Sequence, residues 1–260
     1  MPLSQDVNLK TLRRFFIRAE APVTALPHAA SIEDSNTVHH ARSVLRLNAG
    51  DVALAVDAER ETAWLATIEA LDRNSMRLIL KEPVTLPSDP LPPVHLGCAL
   101  IKEQRWDWLI QKATELGVRS ITPLQTEHCI VEVKDPRKKQ QRWQQVLQGA
   151  AEQSEGLFIP DMKVPAELSD FCESLPKNAL KLFLAERPLP ERMPIGDILK
   201  QYPQPDAIAA VIGPEGGWSD TETQLLLDSG FRTVSLGDRI LKTETAAITL
   251  MAILRHAYAS

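Results

Sequence analysis

Residues 211–222, with the sequence VIGPEGGWSDTE, join an apolar strand to a helix through a loop rich in glycine. Ser219 and Glu222 have the spacing of a capping box, in which each side chain bonds the backbone N–H of the other residue, so a helix is predicted to begin there. The glycines let the backbone turn tightly and approach a ligand closely. Ligands of open α/β sheets bind beyond the carboxyl ends of the strands, so this segment predicts an α/β fold with a ligand site at the turn.

A second segment of the same design follows at residues 234–247, VSLGDRILKTETAA. A strand again ends in glycine, and a polar loop leads into a helix that is apolar nearly all round, which predicts a helix buried on several sides. Two such loops after successive strands can form one cleft. Neither segment contains G-x-x-x-x-G-K-[ST] or G-x-G-x-x-G, so the cleft is not a phosphate loop of either kind.

Strands and helices alternate through the C-terminal two thirds of the chain. Apolar strand-like segments are predicted at 94–101, 118–124, 179–185, 207–212 and 233–236. Between them, Trp106, Leu109, Ile110 and Ala113 share one helix face, and Asp135-Pro136 supplies an N-cap and a first-turn proline for another helix. This order predicts a parallel sheet covered by helices.

The N-terminal third has a different pattern. Short strand-like segments at 15–17, 52–56, 63–68 and 76–80 are separated by turn residues, which predicts a small β-barrel. Five prolines then fall within residues 82–93 and favour a semi-rigid linker. The predicted organisation is therefore a barrel at 1–82, a linker at 83–93 and an α/β domain at 94–260.

Composition excludes several classes of protein. Hydrophobic residues make up 44% and charged residues 24% of the 260 residues, which is ordinary for a globular chain. No apolar run is long enough to span a membrane, and the N-terminus lacks the pattern of a secretory signal. Three cysteines lie far apart without a CxxC pair, and no cluster of metal-ligating residues is present. We therefore expect a cytoplasmic protein with reduced thiols, no bound metal and no membrane association.

The net charge of −5 argues against a nucleic-acid partner, but the acidity is confined to the C-terminal part. Residues 154–260 contain 10 Lys and Arg against 15 Asp and Glu, whereas the rest of the chain is balanced. Local clusters of arginine in the N-terminal domain can contact phosphate, although a single such cluster is more often a solvated face. The candidates for RNA contact are Arg13, Arg14, Arg18, Arg42 and Arg46.

The two glycine-bearing segments, at 212–217 and 236–246, resemble the paired motifs of the RsmE family of SPOUT-class methyltransferases. Shorter matches at 44–51, 111–118 and 150–154 extend the resemblance over nearly the whole chain. The resemblance implies a PUA-like N-terminal barrel, a C-terminal domain with a deep trefoil knot, and a homodimer. It also implies methylation of N3 of a uridine in 16S ribosomal RNA, with S-adenosylmethionine as cofactor and naked RNA or the assembled small subunit as substrate.

The resemblance also implies the site residues. The cofactor would be held largely by backbone groups of the two loops. The implied cofactor-binding residues are Leu184, Gly213, Pro214, Glu215, Gly217, Leu236, Gly237, Ile240, Leu241 and Thr245. Arg239 and Lys242 are candidates for contact with RNA phosphate or the uracil anion, and Glu244 for a base or an orienting group. Capping and surface charge are the alternative roles of these three residues.

Two departures from the family pattern leave other functions open. The family usually has arginine where this chain has Lys242. It also has an arginine shortly after the segment at 152–154, whereas here no arginine lies between Arg142 and Arg187. A relative that binds RNA without methylating it is therefore an alternative, and an unrelated α/β nucleotide-binding enzyme is another. Binding of the cofactor and turnover on ribosomal RNA distinguish the three hypotheses.

Overall fold

The computed structural model describes residues 9, 11–19, 21–60, 62–85, 88–131, 133–185, 189 and 191–259. The chain divides into two compact units. The first comprises Met1–Ser88 together with Ala151–Ile159, and the second comprises Asp89–Ala150 and Pro160–Ser260.

The first unit is built on a largely antiparallel sheet. Its elements are strands β1 (Arg14–Phe16), β2 (His28–Ile32), β3 (Val52–Asp57), β4 (Thr62–Leu71) and β5 (Met76–Val84), and helix α1 (Ser35–His39), which continues as a π-helical turn over His40–Val44. Among the described residues the strands lie in the order β1-β3-β4-β5-β2, and only β1 and β3 pair in parallel. Alternate apolar side chains such as Ala53, Ala55 and Ile68 point into one core, as the period of a strand requires.

Two features of this sheet differ from the sequence prediction. Strand β2 was not predicted, because its HAASI sequence is short and has little β-branched character. Strand β5 continues through Pro83 to Val84, past the predicted start of the linker. A register shift between Leu65 and Ala66 of β4 lies beside this end of β5, and such irregularities tolerate a proline in a strand.

Residues 151–159 pack in the first unit, although they follow a long helix of the second. Ala151 is buried in a small cluster with Phe16, Val56 and Ala63. The hydroxyl of Thr37 donates to Glu152, with an Oγ1–Oε2 distance of 2.9 Å. The contacts that hold this segment are therefore made with residues more than a hundred positions away.

The second unit is a parallel α/β layer structure. Its strands are β6 (Val94–Ala99), β7 (Ser120–Gln125), β8 (Asp161–Met162), β9 (Ala166–Glu167), β10 (Leu180–Leu184), β11 (Met193–Pro194), β12 (Ile208–Ile212) and β13 (Arg232–Ser235). Its helices are α2 (Glu103–Glu115), α3 (Pro136–Gln153), α4 (Leu168–Ser174), α5 (Ile195–Gln201), α6 (Asp220–Asp228) and α7 (Thr243–Ala259).

The described strands of this unit form one sheet in the order β11-β13-β10-β12-β6-β7-β8, with β9 also paired to β7. Every pairing is parallel, for example Phe183 with Val211 and Val211 with Gly97. Strand β12 is buried over its whole length, as expected of a central strand covered on both faces. The predicted α/β class with a smaller N-terminal β-domain is thus confirmed.

Two helices confirm the predictions made from periodicity and capping. The four residues assigned to one face of α2 are buried, and Trp106 packs against Trp143 of α3 with ring centroids 5.5 Å apart. Helix α3 begins at Pro136, and the carboxylate of Asp135 accepts from the backbone N–H of Lys138 at 3.1 Å. Local sequence signals therefore fix where these helices begin.

The proline-rich segment is tied to the last helix. Both carboxylate oxygens of Asp89 accept from Arg255 of α7, at 2.6 and 2.7 Å, and Leu91 is buried. Leu86 and Pro87, within the predicted linker, lie outside the described residues. In the part of the chain that the structure describes, no helix has the length and apolar character needed to cross a membrane.

Candidate functional site

Three parallel strands end at the same edge of the second sheet, and a loop follows each. Leu184 at the end of β10 pairs with Ile212 at the end of β12 and with Val234 near the end of β13. The chain then enters loops at 185–192, 213–219 and 236–242. Because the carboxyl ends of parallel strands meet at one edge, these loops enclose a common space.

That space is a cavity of about 240 Å³. Of the residues predicted for the cofactor, its wall contains Leu184, Gly213, Pro214, Glu215, Gly217, Leu236, Gly237, Ile240 and Leu241. Residues of the wall that the sequence did not indicate are Ala185, Arg192, Ile212, Trp218, Asp238, Thr243 and Ala246. Arg239 and Lys242, two of the predicted catalytic residues, also line it. Thr245 is exposed and Glu244 is buried, and neither is part of the wall.

The first loop, at 213–219, is held by its own backbone and by the helix that follows it. The N–H of Gly217 donates to the carbonyl of Pro214 at 2.9 Å, and Gly217 has a φ of 72°, a conformation that side chains rarely adopt. The predicted capping box of α6 is confirmed, since Ser219 and Glu222 bond each other's backbone N–H at 3.2 and 2.9 Å. The loop therefore has a defined shape without a ligand.

Two side-chain hydrogen bonds join the first loop to its neighbours. The indole N–H of Trp218 donates to the carbonyl of Leu184 at 2.9 Å, which links the loops after β12 and β10. The hydroxyl of Thr243, at the start of α7, donates to the carbonyl of Gly213 at 2.9 Å. All three loops are thus cross-linked through backbone carbonyls, and this linkage is invisible to motif analysis because the partners are about 30 residues apart.

The second loop, at 236–242, turns at Gly237, whose φ is 121°. The hydroxyl of Ser235 lies 3.2 Å from the N–H of Gly237 and 3.1 Å from its carbonyl oxygen. Ile240 has 75% of its surface exposed although it also lines the cavity. A large apolar side chain at the rim of a cavity is typical of a surface that another molecule covers.

An arginine of α2 lies between two carboxylates beside the cavity. One guanidinium nitrogen of Arg105 is 2.7 Å from Oε1 of Glu215 and 3.9 Å from Oε1 of Glu244. The side chain of Glu244 is only 8% exposed, and its Oε2 has no hydrogen-bond partner among the described residues. Arg105 lies in the first turn of α2, where the helix dipole disfavours a cation, so the acidic neighbours account for its position.

Buried thiols lie near the same acids. Burial is the main cause that raises the pKa of Cys98, and the charges of Glu244 and Glu215 act in the same direction. All three cysteines are free, with Cys98 buried and the other two half-buried. A neutral, buried Cys98 is a small apolar part of the core rather than a nucleophile.

The arginines proposed for RNA contact fall into two groups within the first unit. Arg13 pairs with Glu155 at 3.3 Å, and Arg18 pairs with Glu59 at 2.8 Å. Arg14 is half-buried and donates to the backbone carbonyl of Glu155, and desolvation by burial lowers its pKa.

The remaining two, Arg42 and Arg46, are exposed. Three of the five arginines predicted to meet RNA are therefore already engaged with the protein, and Arg42 and Arg46 are more open to a polyanion.

Family models match both parts of the chain. An RNA methyltransferase domain matches residues 87–255, and an RNA methyltransferase PUA domain matches residues 32–81. Among similar proteins, the ribosomal RNA small subunit methyltransferase E of Synechocystis sp. is 34% identical, over 83% of this chain and 69% of that protein. The protein of the same name from Bacillus subtilis is 28% identical, over 84% of this chain and 87% of that protein.

Solved structures give the same picture. A ribosomal RNA small subunit methyltransferase E from Neisseria gonorrhoeae, bound to S-adenosyl methionine, superposes with a TM-score of 0.81 at 27% identity. A Legionella pneumophila protein in complex with the cofactor SAM has a TM-score of 0.80 at 31% identity. Each similarity covers 95% of this chain and 98% of the other.

Proposed function

We propose that this chain, which belongs to the RsmE family of RNA methyltransferases, transfers a methyl group from S-adenosylmethionine to N3 of a uridine in 16S ribosomal RNA. The observation that carries the proposal is the cavity formed by the three loops at the carboxyl edge of the parallel sheet. The names of the relatives and the cofactor bound to two similar structures support it.

The residues of the cavity fit this cofactor. Apolar side chains such as Leu236 and Leu241 suit the adenine ring, and the glycine loops bring backbone groups to the wall. The carboxylates of Glu215 and Asp238 suit the positive charges of the sulfonium and the α-ammonium group. When bound, S-adenosylmethionine supplies a methyl group that its sulfonium already activates, so we propose no metal for the transfer.

The protein's own residues would orient the base and stabilise charge. N3 of uracil must lose its proton before it can accept a methyl group, so negative charge develops on the base. We propose that Arg239 and Lys242, both exposed and both on the cavity wall, hold the RNA phosphate or the uracil anion. Glu244 is buried outside the wall and lies near Arg105, so we assign it a positioning role rather than proton abstraction.

The division of labour follows the organisation proposed from the sequence. We propose that residues 1–82 bind RNA, with Arg42 and Arg46 as the principal phosphate contacts, and that 83–93 link them to a knotted methyltransferase domain at 94–260. The match of residues 32–81 to a PUA domain supports this assignment. We further propose a homodimer in the cytoplasm, since Ile248 and Ile253 of α7 are only half-buried in one chain.

Mass mapping of 16S ribosomal RNA tests the activity. A strain lacking the gene should lose one methyl group on a uridine, and the wild-type gene should restore it. The Gly217→Val variant should not, because a β-branched side chain at a φ of 72° forces the loop out of shape. Circular dichroism and binding of S-adenosylhomocysteine by the purified variant separate a loss of the site from a loss of the fold.

Three outcomes would redirect the assignment. RNA binding and cofactor binding without turnover would indicate a relative that has lost activity. Absence of cofactor binding to the wild-type protein would favour another nucleotide-binding enzyme. A full complement of 16S methyl groups in the deletion strain would refute the proposed substrate.

A further inference from the structure

One cation of the cavity differs from the others in its surroundings. Arg192 lines the cavity and is half-buried, whereas Arg239 and Lys242 are exposed. Its Nε is buried and has no hydrogen-bond partner among the described residues. A buried donor without an acceptor is unfavourable in the free protein, so an acceptor supplied by a ligand would bind there with unusual benefit.

The backbone around Arg192 is shaped to present this side chain. Glu191, the preceding residue, has a φ of 62°, which non-glycine residues seldom adopt. The N–H of Arg192 closes the turn on the carbonyl of Leu189 at 3.3 Å, and β11 begins at the next residue. Strand β11 pairs with the end of β13, Met193 with Val234, so Arg192 enters the cavity from beside the second loop.

We propose that Arg192 binds the α-carboxylate of the methionine part of S-adenosylmethionine; the inference rests on the proposed function of the same cavity. A guanidinium has only donors and matches a planar carboxylate with two parallel hydrogen bonds. It would repel the sulfonium and the α-ammonium, for which the wall offers Glu215 and Asp238 instead. The charges of the wall therefore complement a zwitterion.

RNA phosphate is the competing ligand, and burial argues against it. A polyanion that arrives from solvent meets the exposed Arg239 and Lys242 before a half-buried side chain. The unpartnered Nε of Arg192 calls for an acceptor that enters the cavity. The α-carboxylate is such an acceptor, since it belongs to the molecule that the cavity encloses.

The decisive measurement compares S-adenosylmethionine with its decarboxylated analogue, which lacks only the carboxylate. Calorimetry should give the wild-type protein an affinity about 10- to 100-fold higher for S-adenosylmethionine, the range expected of a hydrogen-bonded charge pair. In Arg192→Met the ratio should fall towards one, because S-adenosylmethionine loses affinity while the analogue does not. Arg137→Met is the matched control, since it removes an exposed arginine of α3 that is not part of the cavity wall.

The result that overturns the proposal is an unchanged ratio in a folded Arg192→Met protein that still binds S-adenosylmethionine. A higher KM for RNA with unchanged cofactor affinity would likewise overturn it and assign Arg192 to the nucleic acid. If Arg192→Met does not fold, the wild-type ratio decides, and equal affinities for the two compounds refute the assignment. Failure of the wild-type protein to bind either compound refutes the proposed function itself, a distinct outcome.

Discussion

Gly213 is the residue at which a single methyl group should disturb the candidate site. A Cβ built on Gly213 would lie 3.0 Å from Cε2 and 3.1 Å from Nε1 of Trp218. The ring must therefore move by a few tenths of an ångström in Gly213→Ala. It is not free to do so, because its N–H is bonded to the carbonyl of Leu184 and the ring packs against a buried cluster that includes Phe183 and Leu226.

The expected cost follows from these contacts. Overpacking by one methyl group destabilises a protein by about 1–3 kcal/mol. Weakening the bond between Trp218 and Leu184 removes up to about 1 kcal/mol from the linkage of the loops. If that linkage is needed for binding, 1 kcal/mol corresponds to an approximately fivefold higher Kd for S-adenosylhomocysteine.

Gly149→Ala supplies a matched control with the opposite sign. Gly149 lies within α3, and a Cβ there would meet nothing within 4 Å. Alanine in a helix interior is about 1 kcal/mol more favourable than glycine. Gly149→Ala should therefore raise the melting temperature and leave cofactor affinity unchanged, whereas Gly213→Ala lowers both.

Thermal unfolding and calorimetric titration with S-adenosylhomocysteine measure the two quantities. Each kcal/mol should shift the melting temperature by about 2–4 °C in a chain of this size. A Gly213→Ala protein that melts with the wild type and binds S-adenosylhomocysteine equally well would show that Trp218 can yield. The reasoning that the loops are rigidly cross-linked would then be wrong.

Three further predictions concern RNA, assembly and pH. Arg42→Ala combined with Arg46→Ala should weaken RNA binding and reduce its log–log salt slope by about one unit for each phosphate that the protein no longer binds, while an unchanged slope and KM would place the RNA elsewhere. Sedimentation at micromolar concentration should give a particle of twice 28.9 kDa, and a 28.9 kDa particle would refute the dimer. Burial, with Lys163 and Arg119 as further causes, lowers the pKa of His95, so the stability due to the neutral ring is present above about pH 6.5 and lost as the pH falls below it. The melting temperature of His95→Asn should fall less than that of the wild type between about pH 7 and pH 5, and parallel falls would contradict this origin.

Sequence reasoning succeeded where a structural signal lies within a few residues. The capping box of α6, the N-cap of α3 and the buried face of α2 each depend on spacings of three or four positions. The order of strands and helices likewise predicted a parallel sheet with its loops at one edge. Such signals do not depend on how distant parts of the chain meet.

Contacts between distant residues were not predictable in the same way. Arg105 meets Glu215 across 110 positions, and Glu155 meets Arg13 across 142. Each of these residues has an ordinary role as a surface charge, so nothing in the local sequence marks it. Arg192 was missed for a related reason, since β11 is only two residues long and gives no recognisable strand pattern before which to place a loop residue.

The residues after Thr243 show that geometry available from the sequence can refine a motif. Once α7 is taken to begin at Thr243, successive side chains rotate by about 100° around the helix axis. Residues three apart then share a face, so Thr243 and Ala246 face the cavity together, while Thr245 points away from it. Glu244 lies to the side, buried near Arg105 rather than on the cavity wall. A motif read as a linear string assigns all of these residues to one ligand, whereas the helix divides them among three different environments. The groups free to meet RNA are consequently those of the preceding loop, Arg239 and Lys242, which no helix turns away.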